Sequence, residues 1–231
     1  GEMVVPGTTT AELDAEAERL TKSLGAECLF KGVPGRSGPF PGNICVSINQ
    51  EVVHGIPSQK RVIHQGDVVS IDYGCRLDGY CADVARTFIA GGKASRDVHR
   101  LVNVTKEALK IAVKMSSVGV AWSTVAGAIQ DYVEKEGFSV VKEFVGHGIG
   151  TEMHEEPKVP NFVSRELLSH DILLEEGLVI AVEPMVTMGS SDVIVADDGW
   201  TVLTRDGKPA AHFEDTLAIT SKGVQVLTNA G

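Results

Sequence analysis

The sequence predicts a mixed α+β fold built from two related halves, and three observations carry that reading. Segments of helical period and segments of strand period alternate along the chain. An internal repeat is visible: VPGTTTAEL at 5–13 echoes VGVAWSTVA at 118–126, with Gly7 matching Gly119, Leu13 matching Val125 and Gly25 matching Gly137 at one constant offset. At nearly the same offset, GDVVSID (66–72) echoes GLVIAVE (177–183), each a glycine, an apolar run and then a carboxylate. A shared offset across helix and strand points to one domain, 1–231, whose halves (about 5–116 and 117–231) are related by a pseudo-twofold. Asp72 and Glu183 would then face each other near its axis.

Each element follows from local pattern. Residues 8–24 read as a helix, capped by threonines and stopped by Gly25. Residues 26–43 hold a Gly/Pro-rich loop, GVPGRSGPFPGN, whose composition resists regular structure and suits a binding loop. ICVSIN at 44–49 alternates as a strand. DVVSIDYG (67–74) and ADVARTFIA (82–90) read as two strands, and Asp78-Gly79 between them is a hairpin signal. Residues 95–115 and 122–136 read as helices, and short strands and turns fill the rest.

Composition excludes several roles. The chain has 231 residues, 21 basic and 31 acidic, for a net charge of −10. Such a balance makes a poor polyanion binder, so neither nucleic acid nor membrane is expected as a partner. A hydrophobic content of 43% is too high for a disordered chain. The longest apolar runs, such as LVIAV at 178–182, are strand-sized. No secretory signal is visible at the start, so Cys28, Cys45, Cys75 and Cys81 are expected as reduced, small buried hydrophobes in the cytoplasm. None forms a CxxC pair.

Five residues could carry chemistry together. Asp72 ends an apolar strand, and Asp83 is expected within a residue of directly opposite it across the hairpin. Two carboxylates at that spacing repel, and in a half-buried sheet they need a cation or a proton. GHGIGTEMHEEP at 146–157 sets His147 and His154 seven apart, which is not the i, i+4 spacing of a zinc-binding helix. A single histidine is more often an ordinary packed imidazole, but glycines on both sides of His147 have no obvious packing use. Glu183 ends a run apolar enough for burial on both faces and would be costly to bury unpaired. Glu214 begins or precedes the last strand, where an exposed edge glutamate is the ordinary reading. Four carboxylates and one imidazole, if clustered, would balance two divalent cations, and oxygen-rich sets of this kind suit Mn, Fe, Co or Zn. The repeat itself brings together only Asp72 and Glu183.

SINQEVVHGIP (47–57), DYGCRLDGYCADVARTF (72–88), GHGIGTEMHEEP (146–157), AVEPM (181–185), DGWTV (198–202) and AHFEDTLAIT (211–220) together resemble the type I methionine aminopeptidases, over nearly the whole chain from about residue 5. The resemblance implies the pita-bread fold: two pseudo-symmetric αβ halves, a curved antiparallel sheet, helices outside and a dinuclear metal site. It implies that Asp72 chelates one ion, that Asp83 and Glu214 bridge both, and that His147 and Glu183 hold the other. The two divalent ions would be Co, Mn, Fe, Ni or Zn. A bridging hydroxide would attack the carbonyl after an N-terminal methionine that precedes a small residue. Glu183 would shuttle the proton, His154 would bond the substrate near that carbonyl, and His54 would sit by the leaving amide. Cys28, Phe40, Cys45, Met153 and Trp200 would line the methionine pocket, where sulfur and aromatic faces suit a thioether. The implied partners are nascent polypeptide N-termini near the ribosome, met by a monomer.

The sequence departs from the family pattern in three places. Met153 stands where the family commonly has an aromatic. The loop between Cys28 and Cys45 is lengthened by PGRSGPF. The helix that normally precedes the VPGT segment is missing, so a trimmed chain with a normally covered surface exposed is expected. Two rivals remain from the residues: an Xaa-Pro peptidase of the same fold, which usually carries a large extra N-terminal domain, and a pita-bread protein that only binds partners, which would show replaced ligands. A type II enzyme needs a long helical insertion. His154 and Glu183 are 29 apart and Glu214 follows 31 later, leaving no room for one.

Overall fold

Local chemistry starts the first helix, α1 (Thr10–Ser23). The Thr9 hydroxyl accepts from the Glu12 N–H at 3.3 Å, and the Thr9 N–H donates to the Glu12 carboxylate at 2.8 Å. This reciprocal pair satisfies two amides that the helix leaves orphaned. The structure is a computed structural model that describes residues 1–229, so the last two positions of the expected 117–231 half lie outside the described residues. After α1 come β1 (Glu27–Cys28), β2 (Cys45–Ile48), β3 (Glu51–Val53), β4 (Val68–Leu77) and β5 (Tyr80–Ile89). Then follow α2 (Arg96–Met115), α3 (Trp122–Lys135), β6 (Ser139–Val140), β7 (Gly146–Gly148), β8 (Glu155–Val159) and α4 (Arg165–Ser169). The chain closes with β9 (Val179–Val182), β10 (Met185–Thr187), β11 (Val193–Val195), β12 (Val202–Thr204), β13 (Ala210–His212), β14 (Asp215–Thr220) and β15 (Gly223–Val226).

Every strand pairing is antiparallel. One sheet is built on β4, which pairs with β5 along one edge and with β2 and β1 along the other. A five-stranded sheet runs β15-β14-β9-β7-β8, and β13-β10-β6 and β11-β12-β3 form two smaller ones. A bridge between Ala85 and Glu214 stitches the two larger sheets together: Glu214 N–H donates to Ala85 O at 3.0 Å. α1 and α3 are both 14 residues long, and their starts, Thr10 and Trp122, have the spacing that separates Gly7 from Gly119. β4 and β9, which lead to Asp72 and Glu183, start at Val68 and Val179.

The largest apolar cluster joins α2 and α3 to the five-stranded sheet through Leu101, Trp122, Ile129, Ile180 and Leu217. Each fully buried aliphatic there is worth about 1.5–3 kcal/mol. Trp122 is wholly buried, and its indole N–H is satisfied by Pro160 O at 2.7 Å. A smaller cluster seats Leu13 of α1 against Ile44, Val46 and Val69. No helix among the described residues is long and apolar enough to cross a membrane.

Four local expectations are corrected. The strand expected over 67–74 continues to Leu77 and turns tightly through Asp78 (φ 51) and Gly79 (φ 85). In that hairpin Asp83 faces Gly74, two positions from the Asp72–Ala85 pair, rather than within one residue of Asp72. The difference matters: a one-residue offset would put the carboxylates on opposite faces, whereas a two-residue offset keeps them diagonal on the same face. The 26–43 loop also contains the short strand β1, because an edge of β4 is free to pair there. Finally, Glu214 precedes β14, which lies between β15 and β9; it is neither on the last strand nor at an edge.

Candidate metal centre

The two larger sheets meet around a cavity of about 330 Å³. Asp72, Asp83, His147, Glu183 and Glu214 all line it, together with His54 and His154. Each residue arrives from a different place in the fold. Asp72 and Asp83 come from neighbouring strands of the hairpin. His147 is the middle residue of β7, which is squeezed between β8 and β9. A Cβ on Gly146 would collide with Ala181 O, and one on Gly148 with Glu156 O, so only glycine fits on either side of His147. That is the local reason for Gly-His-Gly. Glu183 follows directly on β9. Glu214 is held by its bridge to Ala85 and by Arg86, whose guanidinium donates to Glu214 O and to Asp215 Oδ1.

Ligand atoms of Asp83, His147 and Glu214 lie within 4.8 Å of one another. His147 Nε2 stands 3.7 Å from Asp83 Oδ2 and 3.8 Å from Glu183 Oε1. His147 Nδ1 is 2.8 Å from Gly148 O. Donating a proton there leaves Nε2 with its lone pair toward the carboxylates, the tautomer a metal ligand needs.

The electrostatics call for a cation. Burial pushes the Asp72, Glu183 and Glu214 carboxyls well above the ordinary carboxylate range, and the neighbouring Asp83 pushes all three further. Asp72 Oδ1 and Glu214 Oε1 are buried without a hydrogen-bond partner. Orphaned carboxylate oxygens are costly to bury and serve naturally as ligands to a hard or borderline cation. The residues present therefore fit the expected divalent ions.

Around these ligands lies an apolar and aromatic wall. Phe40 meets Trp200 edge-on at 5.1 Å, and Trp200 donates its indole N–H to Gly38 O at 3.1 Å. His54 sits edge-on to Phe144 at 5.5 Å and to Trp200 at 6.3 Å, in the left-handed region at φ 60. Burial lowers its imidazole to about 4, so it is neutral at physiological pH. His154 lies 4.4 Å from His147, ring centre to ring centre, and is lowered by burial and then by His147. Cys45 lines the cavity, opposite Asp72 on the same sheet face.

Two expected pocket residues lie outside the cavity lining. Cys28 pairs with Cys75, and in a pleated sheet that pair faces away from Asp72. Met153 packs over Gly74, beside Cys81 and Ile149. Sequence reasoning missed Phe30, Val33, Phe144 and Val145 in the wall. It also missed His212, which is 1% exposed, with Nε2 3.7 Å from Glu183 Oε2 and otherwise without a partner. Its signal was available: a histidine in an apolar run, two positions before a candidate ligand.

Two joined antiparallel sheets around four converging carboxylates and an imidazole have the make-up of a metal-dependent hydrolase. Residues 1–221 match metallopeptidase family M24, and the chain belongs to that family. It is 46% identical over 223 residues to the methionine aminopeptidase of Clostridium acetobutylicum, covering 96% of this chain and 86% of that protein. It is also 46% identical over 225 residues to methionine aminopeptidase 1 of Bacillus subtilis, covering 97% and 87%. The crystal structure of methionine aminopeptidase from Thermotoga maritima superposes with a TM-score of 0.92 at 39% identity, over 99% of this chain and 88% of that one. The prolidase of Pyrococcus horikoshii superposes with a TM-score of 0.75 at 25% identity, over all of this chain but only 56% of that one. The fold is the pita-bread fold of these enzymes.

Proposed function

We infer that the chain is a methionine aminopeptidase, removing the N-terminal methionine from peptides whose second residue is small. The observation that carries this is the single cavity that joins the five candidate ligands to an apolar wall of Phe30, Val33, Phe40, Cys45 and Trp200. Asp72, Asp83, His147, Glu183 and Glu214 would hold two divalent ions. When bound, such ions polarise a carbonyl and acidify water.

The protein's own groups do the rest. The apolar wall takes the methionine side chain and excludes water from the reacting carbonyl. Glu183, lining the cavity beside His147, accepts the proton of the attacking water and delivers it to the leaving amine. His154 donates to the substrate near the carbonyl, and neutral His54 stands at the leaving amide. The enzyme is proposed to work in the cytoplasm as a monomer of one domain, with halves 5–116 and 117–231, on nascent chains near the ribosome.

Turnover of Met-Ala-Ser and Ala-Pro-Ser peptides across Co, Mn, Fe, Ni and Zn tests the reading, with Glu183→Ala as negative control. Cleavage of the first peptide by at least one metal form, lost in the variant, is expected. Preferential cleavage of the second would establish an Xaa-Pro peptidase instead. Fewer than one metal equivalent after reconstitution, without cleavage, would leave a protein that only binds partners.

A further inference from the structure

β1 and β4 set two cysteines directly opposite each other, Cys28 against Cys75. The next pair along is Leu29 with Gly74, and Leu29 N–H donates to Gly74 O at 3.0 Å. Because hydrogen-bonded and non-hydrogen-bonded pairs alternate, Cys28 and Cys75 occupy a non-hydrogen-bonded position. There Cα atoms stand about 4.5 Å apart and side chains come closest. A disulfide spans Cα separations of about 4.4–6.8 Å, so the two sulfurs can join without moving the backbone.

The surroundings favour reaction at this pair. Cys28 and Cys75 are free and half-buried, whereas Cys45 and Cys81 are buried. Cys75 has the strand parity of Tyr73, whose hydroxyl meets Thr21 of α1 at 2.6 Å. The pair therefore lies on the sheet face away from Asp72, and the metal chemistry does not use it. β1 also runs directly into the stretch that supplies Phe30, Val33 and Phe40 to the cavity wall.

We propose that Cys28 and Cys75 are a reversible disulfide site, oxidised by low-molecular-weight disulfides, that staples the root of the 32–43 loop to the strand bearing Asp72. The Cys28 thiolate attacks one sulfur of the small disulfide, forming a mixed disulfide and expelling one small thiolate. Cys75 then loses its proton to water and attacks Cys28 Sγ, expelling the second small thiolate. The protein gives up two electrons and two protons; the small disulfide gains them as two thiols. Cys28 attacks first because burial pushes the Cys75 thiol up.

The test is incubation of the metal-loaded full chain with oxidised glutathione, followed by alkylation under denaturing conditions and peptide mapping. Alkylatable thiols should fall from four to two, with a linked peptide joining Cys28 and Cys75 that dithiothreitol reverses. Cys81→Ser should still form the link, and Cys75→Ser should stop at a glutathione adduct on Cys28. Wild-type protein that keeps such an adduct without forming the link, or in which both cysteines are alkylated in full, overturns the proposal. The mapping is read on the wild type, so it stands even if a variant fails to fold.

Discussion

His212 shows how much one side chain can add to a site built from carboxylates. Its backbone is pinned to β5 through Thr87, whose hydroxyl donates to His212 O at 2.7 Å and accepts from His212 N–H at 2.9 Å. Burial lowers its imidazole to about 3, so it stays neutral and can offer one N–H to Glu183 Oε2. Closing that 3.7 Å gap would make it a positioning residue for Glu183. His212→Ala should lower kcat by about 10–100-fold with little change in KM, the usual scale for losing an outer-shell partner. His212→Gln keeps an N–H donor and should recover most of the rate; equal loss in both variants would refute the assignment. Gly146 makes a different point at the same scale. Gly146→Ala forces a Cβ onto Ala181 O in a closely packed sheet and should cost about 1–3 kcal/mol, read from the urea midpoint.

At the scale of elements, sequence pattern and tertiary context contribute in different proportions. α1 is locally specified: its capping box and its stop at Gly25 are both visible in the chain. Thr9→Ala should cost about 1 kcal/mol and lower the melting temperature by roughly 2–4 °C. α2 and α3 are likewise legible from their apolar period. The 32–43 loop is not, because its conformation depends on a partner 162 residues away, where Gly38 O receives the Trp200 indole. Removing that partner frees the loop and opens the wall that Phe40 shares with Trp200. Trp200→Ala should therefore raise KM for Met-Ala-Ser several-fold and change kcat less, since it removes binding more than transition-state stabilisation. A fall in kcat at constant KM would place Trp200 in the chemistry instead.

For the whole molecule, the metal centre links folding to pH. Without cations, the raised carboxyls of Asp72, Glu183 and Glu214 hold protons in the folded state that the unfolded chain has already released. The folded state then binds more protons than the unfolded state, so stability falls as pH rises. The loss begins above the ordinary carboxylate values, near 4, and is complete above the raised ones. Cations replace those protons and bind more tightly as pH rises. The melting-temperature gap between metal-loaded and chelator-treated protein should thus widen from pH 5 to pH 8. A constant gap would mean that the carboxyls are ionised without metal.

Local pattern suffices for the helices and the long hairpin, and it points to Asp72 and Glu183 as a pair. Those features rest on periodicity, turn chemistry and a repeat offset, all of which are local or self-referential properties of the chain. The hairpin set Asp83 near Asp72, the Gly-His-Gly context singled out His147, and the resemblance then gave these residues and Glu214 their ligand roles. The assembled sheets supply the rest: Asp83 lies diagonal to Asp72 on the same face, Glu214 is held at the seam between two sheets, His212 comes within 3.7 Å of Glu183, and Cys28 turns away from the cavity toward Cys75. The physical reason is register and seam. A strand's sequence shows which residues share a face, but not which neighbour it pairs with or at what offset. A shift of one position sends a side chain to the other side of the sheet.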